Sequence, residues 1–153
     1  MRALPAASWA ARGAWAGRID GALAYAWGRN ASTGQPLPQM PPLDLRLGVE
    51  YEQGPWSAGG LWRVAAAQHR YALSQGNVVG QDFGPSAGFG VLSLHAGYAF
   101  GKTARVTVGV DNLLNKTYTE HLNLAGNAGF GFPARTPITE PGRTVWARMS
   151  LKM

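Results

Sequence analysis

Hydrophobic and polar residues alternate along six stretches of the chain, one of which is ARVTVGVDNLLN at 104–115. An extended chain there has Val106, Val108 and Val110 on one side and Arg105 on the other. A period of two with β-branched residues on one side is typical of a strand with one face in an apolar medium and one in a polar medium.

The same alternation predicts a chain made of six antiparallel strands. The predicted strands cover residues 14–28, 43–52, 56–71, 88–100, 104–111 with an extension to 118, and 143–153. Long connections rich in Gly and Pro, at 30–42, 72–87 and 121–141, alternate with very short turns at 53–55 and 101–103. Proline and glycine in those numbers disfavour regular structure in the long connections. We therefore expect a consecutive meander with both short turns on one rim.

The two sides of the predicted strands differ in charge. The apolar side is expected to carry Leu45, Leu47, Val49, Leu92, Leu94, Val106 and Val108, and the polar side Arg46, Glu50, His95, Arg105 and Arg148. A dry core would not accept such charges unpaired. The acids Asp20, Asp44, Glu50, Glu52 and Asp111 are expected to pair with Arg18, Arg46, Arg63, Arg105 and Arg148.

Strand length and the aromatic residues at strand ends favour a membrane. Strands of about ten residues can cross a bilayer when tilted. Aromatic residues near the strand ends fit an interfacial girdle, and they are Tyr25, Trp27, Tyr51, Trp56, Tyr98 and Phe100. The pattern therefore predicts a transmembrane β-barrel. A soluble β-sandwich binding module stays open as an alternative, since it also alternates apolar and polar residues.

Composition supports the membrane interpretation and excludes other classes. Only 14% of residues are charged, against about 25% in ordinary soluble domains. The net charge is +6, but Arg and Lys are scattered singly without a basic run, so nucleic-acid binding is not expected. There is no cysteine, hence no disulfide framework and no thiolate metal site.

Six strands are too few for a closed bacterial barrel, which begins at about eight, and an open edge cannot lie in lipid. The chain is therefore expected to be part of a larger barrel. The alternative is a subunit of an oligomeric pore or adhesin, in which several copies close one barrel.

Two motifs resemble a known family. The segment GVDNLLNKTY at 109–118 resembles the penultimate-strand motif of TonB-dependent outer-membrane receptors, through Asp111, Asn112, Leu113, Leu114, Asn115 and Tyr118. The segment EPGRTVW at 140–146 resembles the copper-receptor branch of that family, as do EHL at 120–122 and residues 80–100. Its first four residues are Glu140, Pro141, Gly142 and Arg143.

The resemblance implies that residues 14–153 are the C-terminal portion of a 22-stranded outer-membrane β-barrel, preceded by a lead-in at 1–13. It implies active uptake of a metal, with copper as the transported substrate, in the outer membrane of a Gram-negative bacterium. The implied partners are outer-membrane lipid, the rest of the barrel, a plug domain and the TonB energy-transducing complex. Plug, TonB-contacting segment and signal peptide are not recognised in the sequence, so the chain is not expected to transport alone. One departure is Met153 at the end, where the family usually has an aromatic residue.

The sequence offers no catalytic constellation, so an enzyme is not expected, and no resident cofactor is implied. Copper binds methionine and histidine side chains, which makes Met40, His69 and His121 candidate ligands in the long loops. Without cysteine or a close pair of histidines, ordinary polar loop residues are the favoured interpretation. The resemblance maps no copper ligand onto these positions.

Overall fold

The structure is a computed structural model that describes residues 17–77, 80–123 and 136–152. These residues form eight strands and no helix that could span a membrane. The strands are β1 (Gly17–Ala24), β2 (Asp44–Gln53), β3 (Trp56–Ala65), β4 (Gly76–Asn77), β5 (Gly80–Gln81), β6 (Phe89–Phe100), β7 (Ala104–Asp111) and β8 (Thr144–Leu151).

Six of the strands form one antiparallel meander in the order β1-β2-β3-β6-β7-β8. The all-β fold and the six-stranded meander are thus confirmed. The connections β2–β3 and β6–β7 are tight, and Gly54 and Gly101 in them have φ values of 57° and 63°. Glycine adopts this left-handed conformation at no steric cost, which allows such short turns. The connections at 25–43, 66–88 and 112–143 all start and finish at the other end of the strands, which is called the long-loop rim below.

The pairing register keeps the apolar side chains on one face. Leu47 pairs with Gly21 of β1 and Trp62 of β3, and Val108 pairs with Ala96 and Ala147. Directly paired residues of antiparallel strands point to the same side of the sheet. Followed through all six strands, this face carries no charged residue, which confirms the predicted orientation.

This apolar face has no covering layer among the described residues. Val49 is 51% exposed, Trp56 62% and Met149 64%, and no large side chain is fully buried. The face is far larger than the apolar patches that soluble monomers expose. The described part of the chain is therefore a wall whose apolar side requires lipid or another protein against it.

Most charged residues of the opposite face lie in pairs, whereas Asp111 and Arg148 form no ion pair among the described residues. Arg18 pairs with Asp20, Arg46 and Arg63 with Asp44, and Arg105 with Glu52. The predicted arginine–acid pairing is confirmed for these acids. Glu50 differs from the prediction, because its partner is His95 at 3.2 Å.

Glycine makes room for the Glu50–His95 pair. The residue between them across the sheet is Gly59, which pairs with Glu50 on one side and His95 on the other. A Cβ atom at Gly59 would lie 2.6 Å from the His95 ring. The absence of a side chain there lets the two groups meet over the β3 backbone.

The aromatic residues lie at both ends of the apolar face. Trp56, Tyr98 and Phe100 form a chain of edge-to-face contacts near the tight turns, with ring centroids 4.7 and 4.8 Å apart. Tyr25 and Trp27 lie at the long-loop rim and are about half exposed. This arrangement matches the expected girdle.

Several predicted strand boundaries are wrong. β1 ends at Ala24 instead of 28, β3 ends at Ala65 instead of 71, and β7 does not extend to Tyr118. The predicted loop at 72–87 contains the β4–β5 hairpin. Other contacts replace ladder pairing beyond these points: a backbone bridge between Gln68 and Ser86 follows β3, and side-chain hydrogen bonds of Asn112 follow β7. The lead-in at 1–13 lies outside the described residues.

The register predicts how the two faces respond to charge. Leu47→Arg places a guanidinium on the apolar face and should cost about 2–4 kcal/mol of folding free energy in a bilayer if it lies near the midplane. The same substitution at Leu61, which pairs with Gly48 on the charged face, is the matched control and should be tolerated. Equilibrium folding into phosphatidylcholine vesicles measures both. Equal costs for the two variants would contradict the assignment of faces.

Candidate functional site

The two family motifs meet in space at the long-loop rim. Asn112 directly follows β7, has a φ of 50° and is buried. Its Nδ2 donates to the carbonyl oxygens of Lys116 and Pro141 at 2.8 and 3.2 Å, and its Oδ1 accepts from the Lys116 N–H at 2.8 Å. Asn115 Oδ1 accepts from the Arg143 N–H at 2.9 Å. The motifs therefore form one unit that fastens the end of β7 to the start of β8.

The other motif residues support the same unit. Asp111 is the last residue of β7 and pairs with Thr144, while the Leu113 N–H donates to the Leu92 carbonyl. Leu114 is 72% exposed. A Cβ atom at Gly142 would lie 2.9 Å from Asn115 Oδ1, so glycine permits the close approach. These contacts give the motif residues a structural role.

Tyr118 and Glu140 continue the unit into the loop. The Glu140 N–H donates to the Tyr118 carbonyl at 2.9 Å, and Glu140 Oε1 accepts from Asn123 Nδ2 at 2.7 Å. The Tyr118 ring packs on Phe89 with centroids 4.2 Å apart. Burial, followed by the charges of Glu140 and Glu120, raises the pKa of Tyr118, which keeps the phenol neutral.

Arg63 binds this loop to the charged face of the sheet. Its guanidinium donates to Asp44 Oδ2 at 2.7 Å and to both carboxylate oxygens of Glu120, and it lies over the Phe89 ring at 5.3 Å. The bidentate contact fixes both the position and the orientation of Glu120. Residues 118–121 are thereby held against the sheet instead of extending from the rim.

His121 lies in a buried polar cluster with Ser86 and Asp82. Its side chain is 3% exposed and that of Asp82 is 2% exposed. His121 Nδ1 is 3.0 Å from Ser86 Oγ, while its Nε2 lies 3.9 Å from Asp82 Oδ1 and has no hydrogen-bond partner among the described residues. The two Asp82 oxygens accept the N–H groups of Gln39 and Ala72. The cluster thus joins all three long loops.

Met40 and His69 lie apart from this cluster. Both line a cavity of about 280 Å³ at the rim, whereas His121 lines two other cavities. Met40 is buried, and its carbonyl accepts a hydrogen bond from Gln68 Nε2 at 2.9 Å. The described residues contain no group of three or more His, Asp or Glu that could hold a metal ion. The three candidate ligands therefore do not converge on one site.

Sequence reasoning missed three polar residues of the loops, of which Asp82 and Gln68 are buried. Asp82, Gln68 and Ser86 organise the rim, yet each lies in a stretch without periodicity. Gln68 and Ser86 exchange two backbone hydrogen bonds of 3.0 Å, and this bridge replaces the predicted continuation of β3. No local pattern marks a contact between residues that are this far apart in the chain.

Residues 6–113 match the family model described as TonB dependent receptor-like, beta-barrel. The chain belongs to this family.

Solved structures agree with the family assignment. "Copper transporter OprC" is 56% identical to this chain with a TM-score of 0.83, and the match covers 88% of this chain and 21% of that one. Two receptors share the fold at lower identity. The ferric-catecholate import receptor Fiu from E. coli K12 has 16% identity and a TM-score of 0.61, covering 89% of this chain and 19% of that one. A mutant of the ferric enterobactin receptor PfeA from Pseudomonas aeruginosa has 20% identity and a TM-score of 0.65, covering 97% and 21%.

The chain spans about a fifth of the length of these structures. All three are described as transporters or receptors and none as an enzyme, in agreement with the sequence. Comparison with curated proteins found no match.

The motif unit should depend on Asn112. Asn112→Ala removes three hydrogen bonds and places alanine at a positive φ, which should cost about 2–4 kcal/mol of unfolding free energy. Asn112→Gly also removes the hydrogen bonds, but glycine adopts a positive φ without strain, so this variant should cost less. The difference in unfolding free energy between the two variants gives the cost of the strained backbone. The exposed Leu114→Ala is the control and should stay within about 0.5 kcal/mol. Urea unfolding in lipid measures all three, and a neutral Asn112→Ala would contradict the role.

The buried cluster should make rim stability depend on pH. Burial lowers the pKa of His121 below 6.5, and the attraction of Asp82 opposes this only partly. Below pH 6.5 the unfolded chain then binds more protons than the folded one, so stability falls as pH drops through the lowered pKa. His121→Gln should flatten this dependence in thermal unfolding between pH 7.5 and 5, while the exposed His69→Gln should not. The same pH dependence of thermal stability in wild type and His121→Gln would contradict this role of His121.

Proposed function

We propose that this chain forms part of the barrel wall of a TonB-dependent receptor that takes up copper across the outer membrane of a Gram-negative bacterium. The observation that carries the proposal is the 56% identity to "Copper transporter OprC" over 88% of this chain. The iron receptors match at 16 and 20% identity and support only the fold. Copper is therefore favoured over a ferric complex.

The two faces of the sheet suit a barrel wall. A charge-free face flanked by aromatic residues fits the hydrocarbon layer and its two interfaces. The opposite face, with Asp44 and Arg63 in an ion pair and Glu50 at hydrogen-bond distance from His95, fits a polar lumen. Polar contacts of this kind suit a wall that faces water.

The outer strands supply the attachment to the rest of the receptor. Within the described residues β1 pairs only with β2 and β8 only with β7. Each strand thus leaves one edge of eight residues whose backbone groups need partners in lipid. We propose that neighbouring strands of the same barrel cover these edges. Plug domain and TonB complex are partners of other parts of the receptor.

Met40, His69 and His121 stay proposals as copper ligands. The shared cavity favours Met40 with His69, since a thioether and an imidazole suit copper(I). His121 is a weaker candidate because its Nδ1 lies at hydrogen-bond distance from Ser86. Two side chains do not complete a site, so we expect the main capture site in other parts of the receptor.

Copper accumulation in cells that express the whole receptor tests the function. Under copper limitation, cells with the receptor should accumulate more copper than cells without it, and loss of TonB should abolish the difference. Iron supplied as a siderophore complex is the matched control and should not depend on the receptor. Receptor-dependent iron uptake without copper uptake would overturn the proposal.

The double variant His69→Ala with His121→Ala locates the ligands in the same assay. We expect unchanged copper affinity at normal barrel levels. Weakened copper binding at unchanged levels would instead place capture ligands in this chain.

A further inference from the structure

The apolar face ends at the long-loop rim in a basic cavity. The cavity measures about 280 Å³, and its lining includes Tyr25, Trp27, Leu43, His69 and Arg70 but no Asp or Glu. The other arginine guanidinium groups described above, those of Arg18, Arg46, Arg63 and Arg105, each pair with a carboxylate. A cavity that contains the Arg70 guanidinium and no acid favours an anion.

The cavity lies on the lipid side of the wall. Leu23 and Leu45 pair on the apolar face, and the Ala66 N–H donates to the Leu43 carbonyl, so Leu43 continues this face beyond the end of the ladder. Tyr25 and Trp27 line the same cavity as Leu43. Any molecule in the cavity would have apolar strand residues directly beside it.

Arg70 is held in place by its surroundings. Its guanidinium carbon lies 4.7 Å from the Trp27 ring centroid, and one terminal nitrogen donates to the Gly28 carbonyl at 3.1 Å. The Arg70 N–H donates to Oε1 of the buried Gln68 at 3.0 Å. A guanidinium has five N–H donors, so several of them remain for a ligand. Since the group is already ordered, binding costs little side-chain entropy.

We propose that this cavity binds the phosphate headgroup of an anionic lipid in the leaflet on the long-loop side; the proposal rests on the membrane placement given under Proposed function. The planar guanidinium matches a phosphate bidentately, and basic pockets beside a bilayer recognise charged headgroups. Trp27 and Tyr25 occupy the depth at which aromatic rings meet headgroups. A lipid is favoured over free phosphate because Leu43 and the apolar face below it receive the acyl chains.

Lipid binding to the whole receptor, extracted from the outer membrane in mild detergent and delipidated, tests the proposal. The probes are lipid A, the same lipid after enzymatic removal of its phosphates, and inorganic phosphate, with bound lipid counted by native mass spectrometry. Removing the phosphates, or Arg70→Gln, should each weaken binding about tenfold. Lys102→Gln, in the tight turn on the opposite rim, removes the same charge and should have no effect.

Equal binding of phosphorylated and dephosphorylated lipid would overturn the proposal, as would full binding by Arg70→Gln. If inorganic phosphate binds as tightly as the lipid, the cavity is a site for a soluble anion, and the proposal of a lipid ligand is overturned. If Arg70→Gln does not fold, the binding of the two lipids to the wild-type receptor still tests the proposal. A receptor that imports copper but ignores lipid phosphate contradicts only this inference. One that binds the phosphorylated lipid without importing copper contradicts only the proposed function.

Discussion

The pairing register of the six-stranded sheet is the constraint on which the rest of the structure depends. Because side chains alternate with a period of two, a slip of one residue in any pair would move a row of valines and leucines to the charged face. The observed register puts every charge of the six strands on one side. Tight turns with left-handed glycines at 54 and 101 fix that register on one rim.

The two faces meet different demands. The apolar face needs no packed core, because a bilayer or a neighbouring protein takes the place of one. The charged face has a stricter requirement, because each ion needs a partner or water. Arg63 has two roles. It compensates the charge of Asp44 in the sheet, and it also holds Glu120 of the loop.

The long-loop rim is organised by buried polar groups. Asn112 joins the two family motifs, and Asp82 accepts backbone N–H groups from two different loops. Such groups are costly unless they are satisfied, so they specify one arrangement of loops that have little hydrophobic core. Function in this family member would then depend on loops that the barrel wall positions. The lipid site proposed at Arg70 would determine how the wall contacts the bilayer at the long-loop rim.

The sequence by itself determined the six strands of the meander, the alternation of long and short connections, and the faces of the predicted apolar and charged strand residues. It could do so because period-two alternation is local and does not depend on which strands pair. The sequence also identified the two motifs at 109–118 and 140–143. Only the tertiary structure decided that these motifs touch, that β3 and β7 end early, and that Met40 and His69 share a cavity without His121. The reason is physical: these outcomes rest on hydrogen bonds such as Gln68 with Met40 and Asn112 with Pro141, between residues 28 and 29 positions apart, which no local pattern encodes.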